Sequence, residues 1–205
     1  LKKIAFVLII AGLIIIAAPY VGTQINERRQ KELLIQFDSN WGSVLPSKQT
    51  DGSNASSGST SSGEKIVQNN EKALGKIMIS NIELELPILP GVEKASLENG
   101  IGYLAESDPL GGIGNAVLAG HRNYPFAEMF RRLDELKIGD RIEIETNDEK
   151  YTYVVFQKLV VLPEDLSVLK RIENKKILTL ITCAPLGKDT HRLVVQAQLY
   201  ENTLD

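Results

Sequence analysis

Residues 175–199 read KKILTLITCAPLGKDTHRLVVQAQL, and this stretch decides the fold. Ile177–Cys183 and Leu193–Leu199 are apolar, β-branched runs of strand length, and the loop Ala184–Thr190 between them holds Pro185, Gly187 and Asp189. A strand alternates its faces, so Thr179, Ile181 and Cys183 share one side while Leu180 and Thr182 share the other. Cys183 therefore sits at a strand lip, and Arg192 stands at the start of the returning strand.

Upstream the same grammar continues. Arg141–Glu145 and Tyr151–Val161 alternate, with Asn147-Asp148 in the turn between them. FAEMFRRLDELKIGD, 126–140, reads as a short helix closed by Gly139. Ala116–Ala119 is a short buried strand ending at Gly120-His121. In GKIMISNIELELPIL, 75–89, Ile77, Ile79, Ile82, Leu84 and Leu86 repeat with period two, broken once at Ser80-Asn81, which predicts a β-hairpin. Strands outnumber helices and do not alternate with them. The expected fold is mainly β: a closed or nearly closed barrel of about eight strands with short helices outside.

The barrel domain is expected to begin near Leu74, giving a unit over 74–205. Before it, 38–73 is dominated by Ser, Gly, Asn and Thr, which cannot bury enough apolar surface to offset their ordering entropy, and reads as a flexible linker that lends reach. Residues 24–37, QINERRQKELLIQF, have helix-forming composition and read as a juxtamembrane stalk. Residues 1–23 are the expected membrane anchor. Ile4–Gly22 carries no charge and is long enough for one tilted span, longer than the ~7–15 residue apolar core of a secretory signal peptide. A signal peptide with Lys2-Lys3 as its basic region and Ala17-Ala18 near its cleavage site is the alternative. A cytoplasmic N-terminus is the easier insertion, which places the bulk of the chain outside the cell.

The 205 residues carry a formal net charge of −3, which leaves no global basic footprint for nucleic acid. With 1 cysteine the chain can form no internal disulfide and no multi-cysteine zinc site. Cys183 is thus a core filler or a thiol with a task. A thiol attacks as thiolate, and a nearby cation such as Arg192, which cannot lose its charge, enlarges the reactive fraction. The 2 histidines narrow the choice of base. His191 adjoins Arg192 and points to the opposite face, so His121, at the end of a buried strand, is the better partner. Arg122 reads as solvent-exposed or structural rather than catalytic.

Thr179-Leu180-Ile181-Thr182-Cys183, with Thr190-His191-Arg192-Leu193 after it, resembles the TLxTC signature and catalytic arginine of the sortases. Leu118-Ala119-Gly120-His121-Arg122 is similar to that family's catalytic-histidine strand end, and residues 75–92 resemble its opening hairpin. The resemblance spans about 74–200. It implies a membrane-anchored cysteine transpeptidase of the Gram-positive cell surface. Cys183 is then the nucleophile, His121 the general acid and base, and Arg192 the residue that stabilises the oxyanion and holds the substrate.

The implied partners are secreted proteins bearing LPxT-type sorting signals, and a peptidoglycan or lipid-linked amine as acceptor. No metal or organic cofactor is implied. No carboxylate cluster stands out for calcium, which activates some members. The chain looks most like the class D sortases of spore-forming bacteria, with an LPNTA-like motif and a sporulation link as the expectation. Asp108-Pro109 is followed by Leu110 inside the domain, and the last residues, NTLD, come just after the final strand; both features point away from a pilin polymerase. A housekeeping sortase is the other alternative within the family. Outside it stand an L,D-transpeptidase, whose Ser-His-Gly-Cys pattern is not found here, and a tethered β-barrel binding module with an inert thiol.

Overall fold

The computed structural model describes residues 24–39, 72–122 and 128–201, with Lys3, Gly12 and Gly22 as isolated positions. The expected anchor and most of the expected linker lie outside the described residues. Among the described residues no helix is long and apolar enough to cross a membrane.

Eight strands form the body: β1 (Gly75–Ile79), β2 (Leu84–Pro90), β3 (Ile101–Tyr103), β4 (Gly114–Ala119), β5 (Arg141–Thr146), β6 (Lys150–Val161), β7 (Lys176–Ala184) and β8 (His191–Leu199). They close into a barrel in the order β1-β2-β3-β4-β7-β8-β6-β5, with β5 pairing back onto β1. Most neighbours are antiparallel, but β2–β3 and β4–β7 are parallel. The expected mainly β barrel is found, and it is fully closed.

Period-two patterning fills the interior. Ile77 and Ile79 from β1, Ile142 and Ile144 from β5, Leu178 and Leu180 from β7, and Leu193, Val195 and Ala197 from β8 all belong to one buried cluster. The expected hairpin is β1 and β2, joined by a 3-10 turn at Ser80–Ile82 and by Glu83 in the left-handed region at φ 54°. Three short elements escaped the sequence reading: α2 (Lys94–Asn99), β3, and a 3-10 turn at Leu166–Leu169.

The helix expected over 126–140 is not formed in its described part. Residues 128–140 make turns and one 3-10 turn, Leu133–Glu135. The reason is tertiary: Met129, Phe130, Leu133 and Leu136 all reach the core at 1 % exposure or less. Gly139, at φ 95°, ends the segment in a backbone conformation that L side chains avoid.

Helix α1, residues 24–39, packs on the outside of the barrel. Phe37 joins Ala73 and Leu89 in a small apolar cluster with Leu33 against it. Asp38 accepts a hydrogen bond from Lys76 Nζ at 2.9 Å, and Arg29 donates to Asn99 at 3.3 Å. Phe37 and Ala73 thus hold together the two ends of the Ser/Gly-rich stretch. Sequence composition does not reveal this contact.

Candidate active site

Three neighbouring strands, β4, β7 and β8, bring the site together. Their inward residues, Ala116 and Leu118, Leu178 and Leu180, and Leu193 and Val195, are core. Alternation then turns Val117 and Ala119, Thr179, Ile181 and Cys183, and Arg192, Val194 and Gln196 to the outer face. That face is graded. Asn115, Val117, Thr179, Val194 and Gln196 are buried at one end, while Ala119, His121, Ile181, Cys183 and Arg192 are half-buried at the other.

At the open end Cys183 pairs directly with Arg192 across β7 and β8. β4 runs parallel to β7 with Ala119 opposite Ile181; His121 follows two residues after Ala119, just beyond the end of β4, as Cys183 follows two residues after Ile181 in β7. Two bonds extend that alignment: Gly120 N donates to Ile181 O at 3.1 Å, and Thr182 Oγ1 donates to Gly120 O at 2.7 Å. Gly120 matters here because a Cβ would stand 2.7 Å from Ile101 Cδ1 and 2.8 Å from Phe130 Cδ2. The chain can pass this closely, and present His121, only without a side chain. The structure therefore sets His121, Cys183 and Arg192 on three adjacent strand ends with the cysteine in the middle.

Arg192 Nη1 donates to the carbonyls of Asp189 and His191 at 3.2 and 3.1 Å. Both bonds come from Nη1, and Nε and Nη2 make none among the described residues. The fork is thus anchored by one nitrogen and can offer the others to a carbonyl or oxyanion. His191 pairs with Ala184 and its ring nitrogen lies 3.0 Å from Thr190 Oγ1.

The electrostatics differ from the simple expectation of an activated thiolate. Burial pushes the Cys183 thiol above its ordinary range; Arg192 pulls it down, but the Asp189 charge and a hydrogen bond to that carboxylate push it up again, and the net direction is up. That direction favours the protonated thiol. A base nearby is then needed at the moment of attack.

Arg122 is structural and buried, at 8 % exposure, rather than exposed. Its Nη2 pairs with Asp134 at 2.9 Å and its Nη1 reaches Cys183 O at 3.5 Å, so it ties the strand end after His121 to the backbone of the nucleophile. Sequence reasoning missed this contact, as it missed Asp189, because both are long-range or loop contacts with no periodic signal. Among the described residues no group of three or more His, Cys, Asp and Glu comes together as a metal site.

A closed barrel that carries a cysteine between a histidine and an arginine on adjacent strand ends is built for covalent catalysis by a thiol. The family model of the sortase domain matches residues 77–200, and the chain belongs to the sortase family. Sortase D of Bacillus subtilis is 28 % identical over 186 residues, covering 91 % of this chain and 90 % of that protein. Sortase A of Streptococcus agalactiae is 31 % identical over 134 residues, covering 63 % of this chain and 54 % of that protein. The chain spans only 54 % and 60 % of the length of two curated relatives, the Sortase A proteins of Streptococcus agalactiae and Bacillus anthracis. Among solved structures, a Sortase D5 transpeptidase of Clostridium perfringens superposes with a TM-score of 0.63 at 25 % identity, covering 87 % of this chain and 99 % of that one. Sortase C1 of Streptococcus agalactiae gives 0.61 at 37 % identity, covering 63 % and 68 %.

Proposed function

We propose that the chain is a cysteine transpeptidase that cleaves an LPxT-type sorting signal and transfers the acyl portion to an amine of the cell wall. The observation that carries this reading is the direct pairing of Cys183 with Arg192, with His121 two residues beyond the end of the neighbouring strand β4.

The peptide lies extended on the half-open end of the outer face. Proton transfer from Cys183 to His121 frees the thiolate, which attacks the threonine carbonyl. Charge gathers on the carbonyl oxygen, and the Arg192 fork donates to it. The C–N bond breaks, the leaving amine takes a proton from His121, and a thioester on Cys183 remains. The incoming amine gives a proton to His121 as it attacks, the C–S bond breaks, and the thiol returns.

The subclass reading is class D-like, with an LPNTA-type motif and a link to sporulation. Its support is the likeness to Sortase D of Bacillus subtilis over 91 % of the chain and to the Sortase D5 structure of Clostridium perfringens over 87 % of it. The reading includes single-pass attachment through 1–23, with the barrel outside the cell.

The test is mass spectrometry of the chain incubated with an LPNTA peptide and a small amine. The expected result is a transpeptidation product and a thioacyl adduct on Cys183, both lost in Cys183→Ala, with His191→Ala close to wild type. Full activity in His121→Ala with loss in His191→Ala would reverse the assignment of the base. No product or adduct across a panel of LPxT peptides would favour the binding module with an inert thiol.

A further inference from the structure

Arg122 is buried beside the site, and a buried guanidinium is costly unless its partners are well placed. Those partners lie on different parts of the chain. Nη2 pairs with Asp134 Oδ2 at 2.9 Å, and Nη1 makes a long contact of 3.5 Å to Cys183 O. Nε has no hydrogen-bond partner among the described residues. An apolar side chain would cover this spot with no charge to bury, so cover alone does not account for an arginine.

The contact to Cys183 falls at a particular place in the ladder. The pairing of β4 with β7 ends at Ala119 and Ile181, and Gly120 N adds a backbone rung to Ile181 O at 3.1 Å. Rungs of a parallel ladder are evenly spaced, two residues apart, so the next would run from Arg122 N to Cys183 O. Among the described residues that carbonyl is met by the arginine side chain. His121 thus lies between two ties to β7, one through Gly120 and one through Arg122. Asp134, the other partner, is a fixed post. Phe130, Leu133 and Leu136 around it are 0 % exposed, and Phe130 N donates to His121 O at 2.9 Å. Lys158 Nζ, from β6, donates to the carbonyls of Asp134 and Leu136 at 2.6 and 2.7 Å. Core packing and β6 set where the Asp134 carboxylate stands, and the carboxylate sets the guanidinium.

We infer that Arg122 and Asp134 are positioning residues for the thiol chemistry: the pair braces the backbone of His121 against that of Cys183, so that base and nucleophile keep a fixed spacing. This rests on the transpeptidase reading. The planar fork serves two acceptors at once in one orientation, which a point charge does not. A misplacement of about 1 Å between reacting groups costs on the order of a hundredfold in rate, so the brace acts on kcat and leaves peptide capture in place. The charge of Arg122 is matched by Asp134, and the charges that act on the thiol are those of Arg192 and Asp189.

In the full chain, Arg122→Leu is expected to lower kcat for transfer of an LPxT peptide to a small amine by about tenfold or more, with KM within about threefold. The pH curve for alkylation of Cys183 by iodoacetamide should not move. Asp134→Ala, at a half-exposed carboxylate, is the milder change for folding and carries the test alone if Arg122→Leu does not fold. It should lower kcat as well, and in the Arg122→Leu background it should lower it no further. Amide exchange at Gly120 and Phe130 should quicken in both variants relative to the amides of β8. A kcat within about threefold of wild type in the folded variants overturns the brace. So does a moved alkylation curve, or a loss carried wholly by KM, since these put Arg122 on the charge of the thiol or on the peptide. Additive losses in the double variant overturn the pairing with Asp134. Exchange needs no peptide, so unchanged exchange at Gly120 and Phe130 overturns the brace whatever the turnover. A wild-type chain that turns over no LPxT peptide instead overturns the transpeptidase reading, before any variant is compared.

Discussion

Cys183 shows how little of a residue's chemistry lies in its own letter. The TLITC run marks it as the nucleophile, and Arg192 promises a lowered pKa. In the folded chain, burial and Asp189 outweigh the arginine and the thiol is raised. The rate of alkylation follows the thiolate fraction, so it should climb about tenfold per pH unit from neutral to beyond the ordinary thiol range of about 8.5. Asp189→Asn removes one negative charge that favours the protonated form. Its pH–rate curve for iodoacetamide should move to lower pH, with faster alkylation at pH 7; an unmoved or upward-moved curve would show that Asp189 does not face the thiol. Arg122 makes a different demand. Replacing it by Leu leaves its stem but removes the tie to Asp134 and Cys183 O, and urea unfolding should show a loss of about 1–3 kcal/mol. His121, Cys183 and Arg192 could be named as candidates because strand ends and a short motif are local patterns. The Arg122–Cys183 contact was not, because it joins residues 61 apart.

Elements were legible where period two is strong and illegible where packing overrides propensity. The five apolar strands of the sequence reading, β4 to β8, and the β1–β2 hairpin are all present. The short strand β3 has three residues, too few for a period to show. Over 128–140 the helical spacing is present in the letters, yet burial of four large apolar side chains in the barrel decides the backbone instead. Helix α1 is the element with the clearest consequence. Burial pulls the Lys76 ammonium down, but its bond to Asp38 and the charges of Glu145, Asp38 and Glu85 prevail and raise it. A raised lysine contributes docking strength that is complete below its unfolded value of about 10.4 and is lost as pH rises through the higher folded value. Amide exchange in 24–39, corrected for its intrinsic pH dependence, should therefore show α1 loosening only in strong alkali. Phe37→Ala should loosen it at neutral pH, with β7 amides unchanged; equal exchange in mutant and wild type would mean that the apolar cluster does not hold the helix.

At the scale of the molecule, closure of the barrel is what aligns the site. β4 and β7 are separated by more than fifty residues, yet their parallel pairing brings the strand that ends just before His121 beside the strand that carries Cys183. The barrel is also tied from within, through β6, the neighbour of β8. Tyr153, 1 % exposed, accepts from Gly111 N at 2.7 Å, and burial pushes its phenol up to about 12, so it stays neutral through the alkaline range. Tyr153→Phe leaves that amide without its acceptor and should lower the unfolding free energy by about 1–3 kcal/mol, read as a lower urea midpoint with an unchanged slope. A changed slope would mean instead that the compactness of the native or unfolded state had shifted. By itself the sequence determined every strand but β3, the barrel class, the family resemblance and the identity of the three candidate site residues. Each of these rests on near-neighbour alternation or a short run of residues. Only the tertiary structure decided which strands are adjacent, the direction of the thiol's pKa and the docking of α1. These depend on groups far apart in the chain, whose meeting is set by burial and barrel closure rather than by any local pattern.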